Sequence, residues 1–354
     1  METLKEEDLE SILLGCTVLG TGGGGDLKKG LERVKRDIES GKKFKILSLN
    51  DIPDDALVAS PYHCGSLTSS GEEAKIPEDI LSFKALQEYF RENFFATVST
   101  ELGGGNTATA LSVAANMDIP IVDGDPAGRS VPELQHSTFF INNVSIAPMS
   151  VANKFGDVVI VKKVLDDFRA EKIVRSIAVA SGGSVGVTDH PMRGENLKTS
   201  IISNTISHAK KIGGVLKKTR DYRRVAEAGG GYILFKGEVV DSPWKDEGGF
   251  TVGEIYIEGT EEYNRSKYKV WYKNENLMAW RDNKIDITAP DLICILSKED
   301  AMPVTNPNCR KGIEVVVVGY PAPKEWRTKR GIEILGPKSF GFDCDYIPIE
   351  EKIK

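Results

Sequence analysis

Two hydrophobic rhythms divide the chain. Up to about Gly229, apolar residues recur at helical spacing or gather in short unbroken runs; beyond it they alternate with polar ones. Helical spacing predicts helices over Glu6 to Leu19, Leu27 to Glu39, Pro77 to Asn93, Thr107 to Asn116, Leu165 to Val179 and Thr199 to Ile212. Asp26 is placed to cap the second of these and Gly41 to stop it, while Gly213-Gly214 is expected to end the last. Short runs predict strands at Phe44 to Leu49, Leu57 to Ser60, Phe94 to Ser99, Ile119 to Val122, Phe139 to Ile146 and Val158 to Val161. The period-two stretches are Tyr232 to Val240, Phe250 to Glu258, Tyr268 to Tyr272, Asp291 to Leu296, Ile313 to Val318 and Ile332 to Leu335. The expected architecture is α/β: a domain over residues 1–170 with a mainly parallel sheet and an acidic crevice, then a β-rich, barrel- or sandwich-like domain over 171–354. The last strands are free to return to the first domain.

The segment from Phe94 to Val122 organises this reading. Strand, Gly-rich turn, small-residue helix and strand form a βαβ unit, whose strands should be parallel and whose crossover should be right-handed. Parallel strands deliver their C-terminal ends to one edge of the sheet, where α/β proteins bind ligands. Glu101 follows one strand end and Asp123 the next. Asn106 is placed to cap the helix, and Gly103, Gly104 and Gly105 let bare N–H groups face a ligand. The run Gly20-Thr-Gly-Gly-Gly-Gly-Asp26, with Gly23 and Gly24 at its centre, is either an anion cradle or a plain connection between packed helices. It matches neither nucleotide-binding glycine motif, so no nucleotide cofactor is expected.

Composition narrows the class. The 354 residues carry a net charge of −6, with 40% hydrophobic and 28% charged residues. That is ordinary globular composition, and it offers no basic field for nucleic acid. Five cysteines without a CxxC spacing argue against a disulfide framework and fit a reducing, cytoplasmic setting. The acidic N-terminus is no signal peptide, and no apolar run is long enough for a membrane span.

The richest chemistry lies in Asp123-Gly-Asp-Pro-Ala-Gly-Arg-Ser-Val-Pro-Glu133. Asp123, Asp125 and Glu133, with Glu101, can share a divalent cation through hard oxygen ligands. His63 would make the set suited to Zn²⁺, Mn²⁺ or Fe²⁺. Alternatively, one crowded carboxylate keeps its proton and works as an acid beside an ionised base. Turn and cap chemistry is the plainer account, with Glu133 paired to Arg129. Arg129 could instead fork onto a carboxylate or imide of a substrate. Cys64 adjoins His63, but neighbours on an extended segment point opposite ways, so an inert thiol is expected.

Six stretches then carry a resemblance: Thr21-Gly-Gly-Gly-Gly-Asp26, Glu101-Leu-Gly-Gly-Gly-Asn106, Val122 to Glu133, Lys273-Asn-Glu-Asn276, Ala289-Pro-Asp-Leu292 and Gly336-Pro-Lys-Ser-Phe-Gly-Phe-Asp343. In this order they resemble the S-methyl thiohydantoin desulfurase-like family, associated with hydantoinase/oxoprolinase systems. The acidic loop departs from the family's usual pattern in having Pro126 where a glycine is common. The resemblance implies an α/β domain followed by a β-rich one, and action on thiohydantoin or hydantoin rings. The expected activity is hydrolytic desulfuration. Its alternatives are hydrolysis or isomerisation of another cyclic amide, and a non-catalytic place in a hydantoinase/oxoprolinase complex. Glu101, Asp123 and Arg129 are the expected catalytic residues; Gly23, Gly24, Gly103, Gly104, Gly105 and Asn106 are expected to bind substrate. Expected partners are the small-molecule substrate, a second copy of the chain, and a hydantoinase or oxoprolinase.

Overall fold

The computed structural model describes residues 1–65 and 77–353. Contacts divide the chain into two compact units. One comprises Met1–Leu9, Gly25–Ala127 and Glu133–Ile206; the other comprises Glu10–Gly24, Gly128–Pro132 and Ser207–Lys354. Helix α1 (Glu6–Leu19) starts in the first and continues in the second.

The strands of the first unit are β1 (Glu2–Leu4), β2 (Phe44–Leu47), β3 (Leu57–Gly65), β4 (Ala96–Thr97), β5 (Ile121–Val122), β6 (Gly124–Asp125), β7 (Met149–Ala152), β8 (Val158–Val161), β9 (Ser184–Arg193) and β10 (Ile202–Ser203). Its helices are α2 (Leu27–Glu39), α3 (Glu78–Phe90), α4 (Asn106–Asn116), α5 (Thr138–Ile141), α6 (Asp167–Ala180) and α7 (Gly194–Ser200). Eight strands form one sheet in the order β1-β2-β5-β4-β3-β9-β7-β8. Its centre, β2-β5-β4-β3, is the expected parallel sheet. Antiparallel strands carry it on at both sides. Strand β3 shows why the sheet is buried on two faces. Val58 packs with Ala96, Val98, Val122 and Phe139, while Leu57 and Ala59 pack with Phe83, Leu86, Phe94 and Val113. Each large apolar side chain so buried contributes roughly 1.5–3 kcal/mol. Asp26 caps α2 as expected, accepting from the Lys29 N–H at 3.0 Å.

Helix α8 (Thr205–Thr219) enters the second unit at Ser207 and is followed by α9 (Tyr222–Ala228). The strands are β11 (Tyr232–Asp241), β12 (Trp244–Glu247), β13 (Phe250–Gly259), β14 (Lys267–Lys273), β15 (Glu275–Arg281), β16 (Lys284–Thr288), β17 (Leu292–Ser297) and β18 (Glu314–Tyr320). They pair antiparallel in the order β16-β15-β14-β13-β11-β18-β17, with β12 on β13. The sheet curls into a half-barrel that brings β15 against β17, where the Asn276 amide donates to the Ile293 carbonyl at 3.0 Å. Phe235, Ile255, Val270, Tyr268, Ile293 and Val317 fill the concave side. Helices α10 (Lys329–Leu335) and α11 (Ile349–Lys352) end the unit.

Several expectations are corrected. Gly213-Gly214 does not end α8. A Cβ on Gly213 would lie 1.9 Å from the Ser11 carbonyl oxygen of α1, and one on Gly15 would lie 1.8 Å from that of Ala209. The glycines let two helix backbones touch. Phe139 to Ile146 is no strand: Ser137 accepts from the Phe140 N–H and opens α5. Ile332 to Leu335 lies in α10, capped by Thr328. Strand β3 runs five residues past Ser60 because β9 pairs with it as far as Gly65. Among the described residues no helix is long and apolar enough to cross a membrane.

Candidate functional site

The parallel strands deliver Glu101 and Asp123 past the ends of neighbouring strands β4 and β5, which pair at Thr97 and Ile121. The turn after β4 is laced by its own side chains. The hydroxyls of Ser99 and Thr107 donate to the Glu101 carbonyl at 2.7 and 3.1 Å, and the Gly103 N–H donates to the Thr107 hydroxyl at 3.1 Å. Asn106 is not the helix cap: Gly105 holds that position, and the Asn106 amide instead donates to Glu101 Oε1 at 2.7 Å. That bond fixes the carboxylate, which is 6% exposed. Asp123, 8% exposed, is pinned through its backbone: its N–H donates to the Leu47 carbonyl and its carbonyl accepts from the Asn204 N–H.

On β3, His63 and Cys64 point opposite ways, as expected. The His63 ring lies 3.6 Å from a Glu78 oxygen and 3.7 Å from an Asp79 oxygen. Burial raises Asp79, but Arg33 and His63 outweigh it and hold the carboxyl at about 2. Cys64 packs instead with Val151, Val174 and Ala178, and burial pushes its thiol up to about 12. It is an inert thiol. Arg175, Glu171, Asp189 and Glu101 all act on it electrostatically, which puts charged groups from α6, β9 and the β4 turn around the end of β3.

Two of these groups pair on α6, where Arg175 Nε donates to Glu171 Oε1 at 2.5 Å. Glu171 Oε2 accepts from the Leu134 N–H, directly after Glu133. Burial raises the Glu171 carboxyl, and Arg175 pulls it back. A further buried set sits on β9. His190 Nδ1 is 2.9 Å from Asp189 Oδ1, Tyr62 donates to Asp189 Oδ2 at 2.7 Å, and His190 Nε2 faces Asp167 at 3.5 Å. Burial lowers the His190 ring, but Asp189 and Asp167 overcome it and lift it to about 10. Asp167, Glu171, Arg175 and Asp189 did not stand out in the sequence, and His190 had no metal-ligand spacing to the other histidines. The Glu171–Arg175 spacing of four on a helix was the one available signal.

The expected metal ligands are not brought together. His63 faces Glu78 and Asp79, Asp125 Oδ2 accepts from the Ala127 N–H in a turn, and Glu133 accepts from the Gln135 amide. Among the described residues no three His, Cys, Asp or Glu side chains form a metal-holding group.

Arg129 belongs to the second unit and has no exposed surface. Nε donates to the Ser130 carbonyl, Nη1 to the carbonyls of Pro290 and Asp291, and Nη2 to the Thr21 hydroxyl and the Asn276 carbonyl. A guanidinium has five N–H donors, and these bonds use them all. These bonds tie Arg129 to the backbone of its own unit. In the glycine run, Gly22, Gly23 and Gly25 pack closely. A Cβ on Gly23 would lie 2.0 Å from Glu275 Oε1, and one on Gly22 2.5 Å from Asn306 Oδ1. Within the first unit, Gly30 meets the Gly104 carbonyl and Gly25 meets Gly105 in the same manner. Asp291 completes the second unit's lock. Its carboxylate accepts from the N–H groups of Ala322 and Ile349, from Tyr346 and from Arg327.

An α/β unit with carboxylates at its strand ends, together with an antiparallel half-barrel, defines the class of protein. Family models give it a more particular place. Those for the S-Me-THD-like N-terminal and C-terminal domains match residues 7–163 and 165–349, and the chain belongs to this family. No curated protein matches. A Chromobacterium violaceum protein solved by X-ray crystallography is similar over 99% of this chain and 100% of its own, with a TM-score of 0.83 and 21% identity. At that identity the likeness speaks for the fold.

Proposed function

We propose that the protein is a hydrolytic desulfurase acting on an S-methylated thiohydantoin ring at the strand-end edge of the first unit. The observation that supports this reading most is the Glu101 carboxylate, nearly buried, held at one oxygen by Asn106 at 2.7 Å, in the turn after β4, whose neighbour β5 leads into Asp123. Family membership supports the ring chemistry. Glu101 takes a proton from water as its oxygen adds to the ring carbon bearing sulfur, and delivers that proton to the ring nitrogen. The tetrahedral adduct then breaks its C–S bond. Asp123 passes the hydroxyl proton to the departing sulfur, leaving a hydantoin carbonyl and methanethiol. The first turn of α4, after Gly103, offers its N–H dipoles to the charge that develops on the adduct.

The test is methanethiol release from an S-methylated thiohydantoin. General-base loss in Glu101→Gln should lower the rate roughly 10²-fold or more, with Asp123→Asn following. Unchanged rates in both variants would remove the assignment. Ring opening without thiol release would favour cyclic-amide hydrolysis. Turnover only alongside a hydantoinase or oxoprolinase would favour a subunit role.

A further inference from the structure

Strand β8 ends its sheet: among the described residues its only strand partner is β7. It reads Asp157-Val-Val-Ile-Val-Lys-Lys163, and Val158 and Val159 are exposed. An open apolar edge of this kind is what monomeric proteins avoid, because its outward N–H and C=O groups template pairing with another chain. Neither proline nor an inward-pointing charge interrupts Val158–Val161.

The pairing with β7 fixes which groups face out. The Asn153 N–H donates to the Asp157 carbonyl, and Val151 and Met149 stand opposite Val159 and Val161. Hydrogen-bonded pairs alternate along an antiparallel ladder. Residues 157, 159 and 161 therefore bond inward, and Val158, Ile160 and Lys162 present their backbone groups outward.

We propose that this edge pairs with the same edge of a second copy of the chain, antiparallel about a two-fold axis at Ile160. That register sets Ile160 against its mate and Val158 against the other copy's Lys162, so every outward group finds a partner. It also sets Asp157 opposite the other copy's Lys163, a charge match repeated by the axis. At both ends of the ladder it brings Phe155, 69% exposed, toward the other copy's Leu165, 85% exposed. Backbone, charge and apolar ends agree on one register, as a self-complementary two-fold interface requires. A shift by two residues in either direction breaks the Asp157–Lys163 match.

The experiment is sedimentation velocity on the full chain. The wild type should sediment at twice the chain mass at micromolar concentration. Ile160→Pro removes one outward N–H and no bond to β7, and should sediment as a monomer. Phe155→Ser/Leu165→Ser changes only exposed side chains and should raise the dissociation constant tenfold or more. The register is read by Ile160→Cys, which should form a disulfide dimer on mild oxidation, while Val158→Cys should not, its mate being Lys162. A monomeric wild type, a dimer indifferent to both interface variants, or crosslinking at Val158→Cys in place of Ile160→Cys would overturn the proposal.

Discussion

Arg129 in the second unit and His190 in the first are both cations closed off from solvent, and their surroundings differ. Arg129 donates to a hydroxyl and four backbone carbonyls. His190 sits between two carboxylates, one at hydrogen-bond distance and the other at 3.5 Å, too far for a full bond. Its backbone also takes a positive φ of 43°, which a bulky residue adopts only when its surroundings enforce it. The first arrangement matches each N–H donor to a neutral acceptor. The second has charge in excess of its hydrogen bonds and can respond to protons. The half-barrel unit is thus built as a lock, and the unit with the strand-end carboxylates keeps electrostatic slack.

The largest effect should come from breaking the lock. Arg129→Met strands the loop carbonyls, and Asp291→Asn leaves donors facing a weaker partner. Each should cost about 3–5 kcal/mol in chemical denaturation; a loss below about 1 kcal/mol would mean this network carries no more than the looser one. Next comes His190. Its folded value near 10 lies above the ordinary 6.5, so its stabilisation is complete below about 6.5 and drains away as pH rises toward 10. Wild-type stability should fall by a few kcal/mol across that window. His190→Asn should flatten the slope, and an equally steep variant would contradict it. Gly213→Ala should cost about 1–3 kcal/mol, because its Cβ meets the Ser11 carbonyl. Gly214→Ala meets nothing within 4 Å and should stabilise by up to about 1 kcal/mol, the helix propensity gained. If thermal melts rank the two glycines alike, the close contact of α1 with α8 is not what holds that part of the second unit.

Much of the fold was legible in the sequence where one rhythm persisted. Helices α1 and α2 and strands β8, β11, β13 and β14 stand within a residue or two of their expected bounds. The failures fall on short apolar runs, where four or five residues fit either period. The stretch Gly-Ile-Glu-Ile-Leu alternates like a strand, yet the Thr328 cap on the Gly331 N–H makes it helical. Strand β9 was invisible because Pro191 and the Asp189–His190 pair mask its alternation. At the site, Glu101 and Asp123 were readable since each follows a strand end. The work done by Arg129 was not, because its partners come from residues 21, 276, 290 and 291. His63 was placed at a strand end only because the strand was read as too short.

Asp291 gathers the peptide at Ala322, the phenol of Tyr346 and the peptide at Ile349 onto one carboxylate, while Arg327 bridges it to Glu350. The closing segment is thereby knotted to the barrel wall at a single point, far along the chain from where the wall begins. Anyone trimming this polypeptide before Tyr346 would remove two donors from a sealed anion, and would loosen the half-barrel itself rather than a loose tail.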